Sequence, residues 1–182
     1  MCSDLPWLPA MAQVSPWQHG SAGDTYEMLY SIFQKGFVLT RPQYDGREVW
    51  HFRRPEDWED GKEKLFWHLT SREVKPRPIA RRMRKYAAEM AVKPGRYPDL
   101  RRSERLPWVR PMIENSQQPE VLAWDYKEGD GDIHTYVWLK DLDFVAIMKK
   151  YPDGRRRLIT SFYVDQEYKR RDFERKHANR IA

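Results

Sequence analysis

The sequence has very little cysteine: among its 182 residues the one thiol is Cys2. A single cysteine cannot form a disulfide within one chain or build a cysteine-based metal site, and this usage suits a reducing compartment. Long apolar runs are missing as well, since none approaches the roughly 20 residues that a membrane-spanning helix needs. The first residues also lack the charged-then-apolar order of a signal peptide. We therefore expect a cytoplasmic protein that has no membrane partner.

The sequence also lacks the short motifs that mark several enzyme classes. It contains no G-x-x-x-x-G-K followed by Ser or Thr, no G-x-G-x-x-G, no G-x-S-x-G and no H-E-x-x-H. These absences argue against nucleotide-driven motors, dinucleotide oxidoreductases and zinc proteases. The five histidines are spread along the chain, so a histidine metal cluster is not expected. We predict neither a metal ion nor a cofactor.

Charged and aromatic residues are plentiful instead. Charged residues make up 33% of the chain and aromatic residues 14%, and disordered chains are poor in aromatics, so the composition predicts a folded protein. The net charge of +6 is uneven: residues 1–60 carry −4, residues 61–120 carry +8 and residues 121–182 carry +2. A concentrated positive region suits an anionic partner, most often nucleic acid. A solvated basic surface without a partner is equally consistent with the charge alone.

Prolines, glycines and an absence of periodicity predict an irregular N-terminal arm over residues 1–23. The remainder, residues 24–182, reads as a single domain. Asp24 stands three residues before Glu27 in a capping-box arrangement, and apolar residues follow at helical spacing until Gly36. This pattern predicts a first helix of about three turns.

A β-hairpin and two further helices are predicted between the first helix and residue 90. The pair Asp45-Gly46 joins two alternating runs, which is the strongest short-range signal for a β-hairpin. From Gly61 the segment KEKLFWHLTSRE has the apolar spacing of a second helix, which we expect to end by Pro76. The basic stretch IARRMRKYAAEM, residues 79–90, predicts a third.

The last third of the chain changes to strand character. The runs VLAWDY, IHTYVWLK, DFVAIMKKY and RRLITSFYV are rich in β-branched and aromatic residues, and tight turns at GDGD and PDG separate them. They predict a four-stranded antiparallel meander. A charged C-terminal helix follows, acidic at its start and basic at its end. The predicted fold is therefore α+β, with N-terminal helices and a β-hairpin packed on the meander sheet.

The segment RYPDLRRSERLPWVRPMIEN concentrates arginine around an aromatic residue. Arginine is preferred where a planar group must hold phosphate oxygens, and an aromatic ring can stack on a base. The competing interpretation is a buried network of arginines and carboxylates around a core tryptophan. As candidates for contacts with nucleic acid we take Arg96, Arg101, Trp108, Arg110 and, from the last strand, Tyr163.

One histidine and one threonine are further candidates. His68 lies in FWHLTSRE beside hydroxyls and a guanidinium, which suits general acid/base chemistry at a phosphate, although a helical histidine can also merely fill space. In LITSFYV the strand period places Thr160 and Phe162 on one face and Tyr163 on the other. Thr160 could hydrogen-bond a phosphate, or it could simply be a strand former.

Three stretches carry a family resemblance, namely GREVWHFRRPEDWEDGKEKLFWHLTSRE, RYPDLRRSERLPWVRPMIEN and LKDLDFVAIMKKYPDGRRRLITSFYV. They resemble a group of phage- and prophage-encoded proteins that look similar to the barnase, EndoU, colicin-type tRNase and RelE superfamily of metal-independent ribonucleases. The most specific parts are FWHLTS, PDLRRSERLPW and LITSFYV. The resemblance implies N-terminal helices on a four-stranded antiparallel sheet and a toxin-like endoribonuclease, with RNA as substrate and an inhibitor protein as a possible partner.

The resemblance also implies roles for individual residues. His68 would be catalytic, Arg102 and Arg105 would bind phosphate, and Thr160 would supply a supporting hydroxyl. For the mechanism of such an endoribonuclease, we expect His68 or Glu114 to be the base that takes the ribose 2'-hydroxyl proton. Barnase-like enzymes have a histidine where this chain reads SFYV, so the general acid would be His68 itself or the site would be degenerate. The alternative function is a non-catalytic nucleic-acid-binding or phage accessory protein that uses the same basic groove.

Overall fold

The computed structural model describes residues 5–14, 22–73 and 96–181. The basic helix predicted at residues 79–90 lies outside the described residues, and so do parts of the N-terminal arm. Within the described ranges, no helix combines the length and the apolar character needed to cross a bilayer.

The described residues form five α-helices and ten strands, most of the strands being short. The helices are α1 (Ala22–Phe33), α2 (Lys64–Thr70), α3 (Leu100–Glu104), α4 (Leu106–Glu114) and α5 (Glu167–Ala178). The strands are β1 (Gln43–Tyr44), β2 (Arg47–Trp50), β3 (Trp58–Glu59), β4 (Lys62–Glu63), β5 (Ser71–Glu73), β6 (Arg96–Pro98), β7 (Val121–Lys127), β8 (Ile133–Leu139), β9 (Phe144–Lys150) and β10 (Arg156–Tyr163). The α+β class predicted from the sequence is confirmed.

The first helix is longer than its sequence pattern suggests. It starts at Ala22, two residues before the capping box, and a π-helical turn, Gln34–Val38, continues it beyond Phe33. The prediction that Gly36 ends the helical segment is therefore wrong. Phe37 explains the continuation, because its ring is 2% exposed and stacks on the Phe33 ring at a centroid distance of 5.4 Å. Burial of this ring offsets the conformational cost of glycine in a helix.

The main sheet has six strands in the order β1-β2-β10-β9-β8-β7. It is mixed, because β2 pairs with β10 in parallel, with Val49 opposite Arg156 and Trp50 opposite Arg157. The four predicted strands, β7 to β10, do pair antiparallel with their neighbours in chain order, but the sheet is larger than the predicted four strands and includes the hairpin. The hairpin extends the sheet from its edge, where it supplies partners to backbone groups that an open edge would leave unpaired.

A bulge in β10 sets which side chains face the helices. The register shifts between Leu158 and Thr160, so that Thr160 pairs with Ile147 and Tyr163 pairs with Phe144. Tyr163 consequently packs on the core beneath α1, α2 and α4, whereas Thr160 lies on the opposite face, which α5 partly covers. Beyond its short pairing with β2, the outer edge of β10 contacts α2 and α3. This edge carries the candidate site.

Candidate active site

Side chains from a later part of the chain cap the C-terminal end of helix α2. The predicted apolar side of the helix is buried, but the helix ends at Thr70 rather than near Pro76, and β5 follows it directly. The last carbonyls of a helix have no partner within the helix. Here the Ser103 hydroxyl donates to the Thr70 carbonyl at 3.0 Å, and two arginines bind the neighbouring carbonyls.

Arg96 is one of these two arginines, and it is 9% exposed. Its Nε donates to Ser71 Oγ at 2.9 Å, and its Nη2 donates to the carbonyls of Trp67 at 3.0 Å and Ser71 at 3.2 Å. A buried guanidinium at a helix C-terminus satisfies the free carbonyls and complements the helix dipole. Arg96 therefore has a structural role at the end of α2, and its contact with nucleic acid stays a prediction.

Replacing Arg96 by methionine should lower the free energy of unfolding by about 2 kcal/mol, because hydrogen bonds from a charged donor are lost and buried carbonyls are left unpaired. Urea denaturation measures the change. Arg101→Met is the matched control: Arg101 is exposed, and its loss should cost less than about 1 kcal/mol. Unchanged stability of Arg96→Met, together with weaker RNA binding, would instead support the phosphate role predicted from the sequence.

Arg102 is the second arginine at the end of α2. Its Nη1 donates to the His68 carbonyl at 2.8 Å, its Nε lies 3.4 Å from Asp99 Oδ2, and its guanidinium covers the Phe162 ring at 5.4 Å. The predicted neighbours His68 and Arg102 are thus brought together. The contact is with the backbone of His68, so Arg102 positions the histidine and does not approach its ring through this hydrogen bond.

Arg105 and Arg101 hold Tyr163 between them. Their guanidinium carbons lie 4.9 and 4.7 Å from the centroid of the Tyr163 ring. Trp108, the other aromatic candidate, is 6% exposed and donates its Nε1–H to the Pro9 carbonyl at 2.8 Å. A buried ring offers no face to a nucleotide base, so Trp108 belongs to the core, as the competing interpretation of this segment held.

Arg101 and Tyr163 also line an open cleft of about 330 Å³ at the start of α5. The side chains around this cleft carry mixed charge, because Asp143, Asp165 and Glu167 lie beside the arginines. Three carboxylates near the opening oppose a polyanion by electrostatic repulsion. This cleft is accordingly a weaker candidate for phosphate binding than its arginines suggest.

Three other sequence candidates lie apart from His68. Glu114 pairs with Arg110 at 3.0 Å, and Arg110 also donates to Thr40 Oγ1 and to the Gly36 carbonyl. Glu114 is the last residue of α4, about 12 Å along the helix axis from Leu106. Thr160 forms no hydrogen bond to His68, Arg102 or Arg105 in the described part of the chain, although it shares a sheet face with Phe162. The structure therefore does not gather all the predicted catalytic residues into one site.

His68 instead opens into a smaller cleft of about 170 Å³ between α2, the end of β2 and β10. Two cationic residues, Lys64 and Arg157, line this cleft together with a second histidine, His51. Lys64 precedes His68 by one helical turn and therefore lies on the same face of α2. The remaining lining residues are Phe52, Asp57, Leu65, Leu158 and Ile159.

The two histidines of the cleft are both kept neutral. Burial lowers the pKa of His51 to about 4, with smaller contributions from Arg53 and Arg41. Desolvation by the surrounding protein also lowers the pKa of His68, and the charges of Arg96 and Arg102 lower it further. The His68 ring nevertheless remains open to solvent on one side. A neutral, accessible imidazole can accept a proton at neutral pH.

Sequence reasoning missed His51, Lys64 and Arg157 as site residues. The arginines at 155–157 follow a tight turn, which by sequence indicates a solvated hairpin end or a contact with a nucleic-acid backbone. In the structure Arg157 lies on the cleft and Arg156 is buried. The parallel pairing of β2 with β10 brings Trp50, and with it the following His51, beside Arg157. The basic and aromatic run HFRR directly after the hairpin was the available signal.

Among the described residues, no group of three or more histidine, cysteine or acidic side chains is arranged to hold a metal ion. No family model matches the chain, and neither the curated proteins nor the solved structures include a significant match to it.

Proposed function

We propose that the protein is a metal-independent endoribonuclease that cleaves RNA in the His68 cleft. The observation that carries this proposal is the convergence of a neutral histidine with two cations, Lys64 and Arg157, on one concave site. A base and positive charge are the two elements needed when a ribose hydroxyl attacks its own phosphate, since the nucleophile belongs to the substrate.

In the proposed reaction, His68 accepts the proton of the ribose 2'-hydroxyl. The oxygen attacks the adjacent phosphorus, a bond from O2' to phosphorus forms, and the bond from phosphorus to the 5'-oxygen breaks. The leaving oxygen takes a proton from water, the protonated His68 gives its proton to the hydroxide that this leaves, and the product is a 2',3'-cyclic phosphate. Lys64 and Arg157 stabilise the negative charge that builds on the phosphate oxygens, which is usually the largest catalytic contribution.

Arg102 has an indirect role in this proposal. Its hydrogen bond to the His68 carbonyl holds the last turn of α2, so it orients the histidine instead of binding the scissile phosphate. His51 stays neutral and 7% exposed, which suits a supporting wall of the cleft rather than a proton donor at neutral pH. The phosphate-binding role predicted from the sequence for Arg102 and Arg105 thus passes to Lys64 and Arg157.

The biological setting belongs to the proposal as well. The family resemblance supports a toxin-like enzyme of phage or prophage origin that acts on cellular RNA in the cytoplasm, with an inhibitor protein as partner. A second candidate is a protein that binds nucleic acid without cleaving it. The stack of Arg101, Tyr163 and Arg105 favours this alternative, because cations over an aromatic ring also occur in single-strand binders.

Cleavage of a labelled RNA in excess EDTA tests the proposal. We expect fragments that end in a 2',3'-cyclic phosphate, because the 2'-hydroxyl is the nucleophile and no metal takes part. The matched substrate carries a single 2'-deoxy nucleotide, and cleavage should stop at that linkage alone. RNA that stays intact would support the binding protein, and cleavage that continues at the deoxy linkage would exclude the mechanism.

A further inference from the structure

A row of cationic and aromatic side chains crosses the main sheet beside the His68 cleft. Trp50 in β2 pairs with Arg157 in β10, Arg157 pairs with Lys149 in β9, and Lys149 pairs with His134 in β8. Paired residues on neighbouring strands point to the same face of a sheet. On this face, α5 packs over residues farther along the strands, such as Trp138 and neighbouring rings.

Phe52 joins this row to the cleft. The side chain is 43% exposed, which is unusual for a large aromatic ring, and it also lines the His68 cleft. Its ring meets the Trp50 ring edge-on at a centroid distance of 5.4 Å, and the Trp50 ring lies 5.6 Å from that of Tyr151. The three rings form one aromatic surface, which we call the Phe52 platform.

Positive charge surrounds the Phe52 platform. The guanidinium of Arg157 lies 4.4 Å from the Phe52 ring centroid and 6.0 Å from that of Trp50. Arg157 has no carboxylate partner within the described ranges, whereas Lys149 is paired with Asp132 at 2.5 Å. Arg53, next in the chain after Phe52, is exposed. An exposed ring beside a guanidinium that has no carboxylate partner in the described ranges suits a ligand that is both anionic and aromatic.

We propose that the Phe52 platform binds single-stranded RNA, with a base next to the scissile phosphate stacked on Phe52. This inference rests on the proposed function, since the His68 cleft defines where the scissile phosphate lies. Bases in a duplex are already stacked and paired, and their faces are not available to a side chain. A single strand can lay a base on the ring while its phosphate reaches Arg157. The platform therefore selects unpaired RNA as substrate.

Binding of an uncleavable strand tests the platform separately from cleavage. The probe is a fluorescent 12-nucleotide 2'-O-methyl RNA, titrated with the full chain, because the methyl group blocks the attacking oxygen. Phe52→Ala should weaken binding about tenfold or more, whereas Phe52→Trp should bind like the unchanged protein, because stacking on a base depends on an aromatic ring. The unchanged protein should also bind the single strand more tightly than a hairpin of the same length.

Tyr168→Ala is the matched control, because it removes a 67% exposed ring from α5, away from the platform, and should not change the affinity. Equal affinities for Phe52→Ala and the unchanged protein would overturn the platform, and so would equal affinity for the hairpin. If binding depends on Phe52 while ordinary RNA is not cleaved, the platform stands and the nuclease proposal fails. Thermal unfolding of each variant distinguishes lost binding from lost fold.

Discussion

Replacing His68 by alanine should lower the rate of RNA cleavage about 10²- to 10⁴-fold, the usual contribution of a general base. The imidazole is exposed at the mouth of the cleft, so its removal deletes the proton acceptor and leaves the apolar side of α2 in the core. The measurement is the single-turnover rate of cleavage of a labelled RNA. Thermal unfolding should show a midpoint close to that of the unchanged protein.

A histidine outside the cleft provides the control for this substitution. His177 belongs to α5 and packs against Trp124 of the sheet, with the ring centroids 5.1 Å apart. His177→Ala should retain the cleavage rate. Equal rates for His68→Ala and the unchanged protein would exclude His68 as the base. Loss of activity in both variants would point to a general effect on the fold.

The pH profile gives the same experiment a second readout. Because the pKa of His68 is lowered, the neutral form dominates above about pH 6.5, the ordinary value for histidine. The rate should rise with pH, pass its midpoint below that value and then stay level. A midpoint above 6.5 would contradict the assignment. The groups that face His68 and set its pKa are Arg96, Arg102, Glu59 and Glu73, and the charged residues across the cleft are Lys64, Arg157 and Asp57.

The second large effect concerns stability: Arg156→Ala should lower the free energy of unfolding by about 3 kcal/mol. The Arg156 side chain is 9% exposed, its Nε donates to Thr135 Oγ1 at 2.9 Å, and its guanidinium lies 4.2 Å from the Tyr44 ring centroid. Its Nη2 is 3.7 Å from Asp125 Oδ2. Removing one member of a buried charged network leaves its partners without a charged donor, which destabilises the fold. The loss of stability is limited because Lys150 still pairs with Asp125 at 2.6 Å.

The adjacent arginine is the matched control. Arg155 pairs with Asp153 at 2.6 Å, but the two side chains are 65% and 49% exposed. An exposed ion pair contributes between zero and about 1 kcal/mol, so Arg155→Ala should hardly change the urea midpoint. If both variants lose the same stability, or if Arg156→Ala loses less than about 0.5 kcal/mol, the buried network does not hold β10 to β1 and β8 in the way described.

Features with a local cause were predictable. The hairpin at Asp45-Gly46 forms with positive φ values of 51° and 70° at its two turn residues, as the residue types indicate. The C-terminal helix is present, with Glu167 in its first turn and basic residues in its last. The strand period also separates the faces of Thr160 and Tyr163 as expected, because the bulge in β10 lies before both residues.

The partners of the arginines in RYPDLRRSERLPWVRPMIEN were not predictable from the sequence. Their residue type is suited to phosphates, but the same donors are suited to carbonyl oxygens at a helix end. Arg96 and Arg102 bind those carbonyls at the end of α2, and Arg105 stacks on Tyr163. Sequence cannot distinguish the two uses, because the acceptors come from a segment about 30 residues earlier.

The α+β class, the hairpin turn and the charged C-terminal helix follow from the amino-acid sequence, because each depends on neighbours along the chain. The cations that face His68 become known from the folded chain alone. The parallel pairing of β2 with β10 places Arg157 beside Trp50 and turns Phe52 outward at the cleft. This pairing joins strands that are far apart in the chain, so its stabilising contacts form only when the sheet assembles. It therefore leaves no local pattern in the sequence.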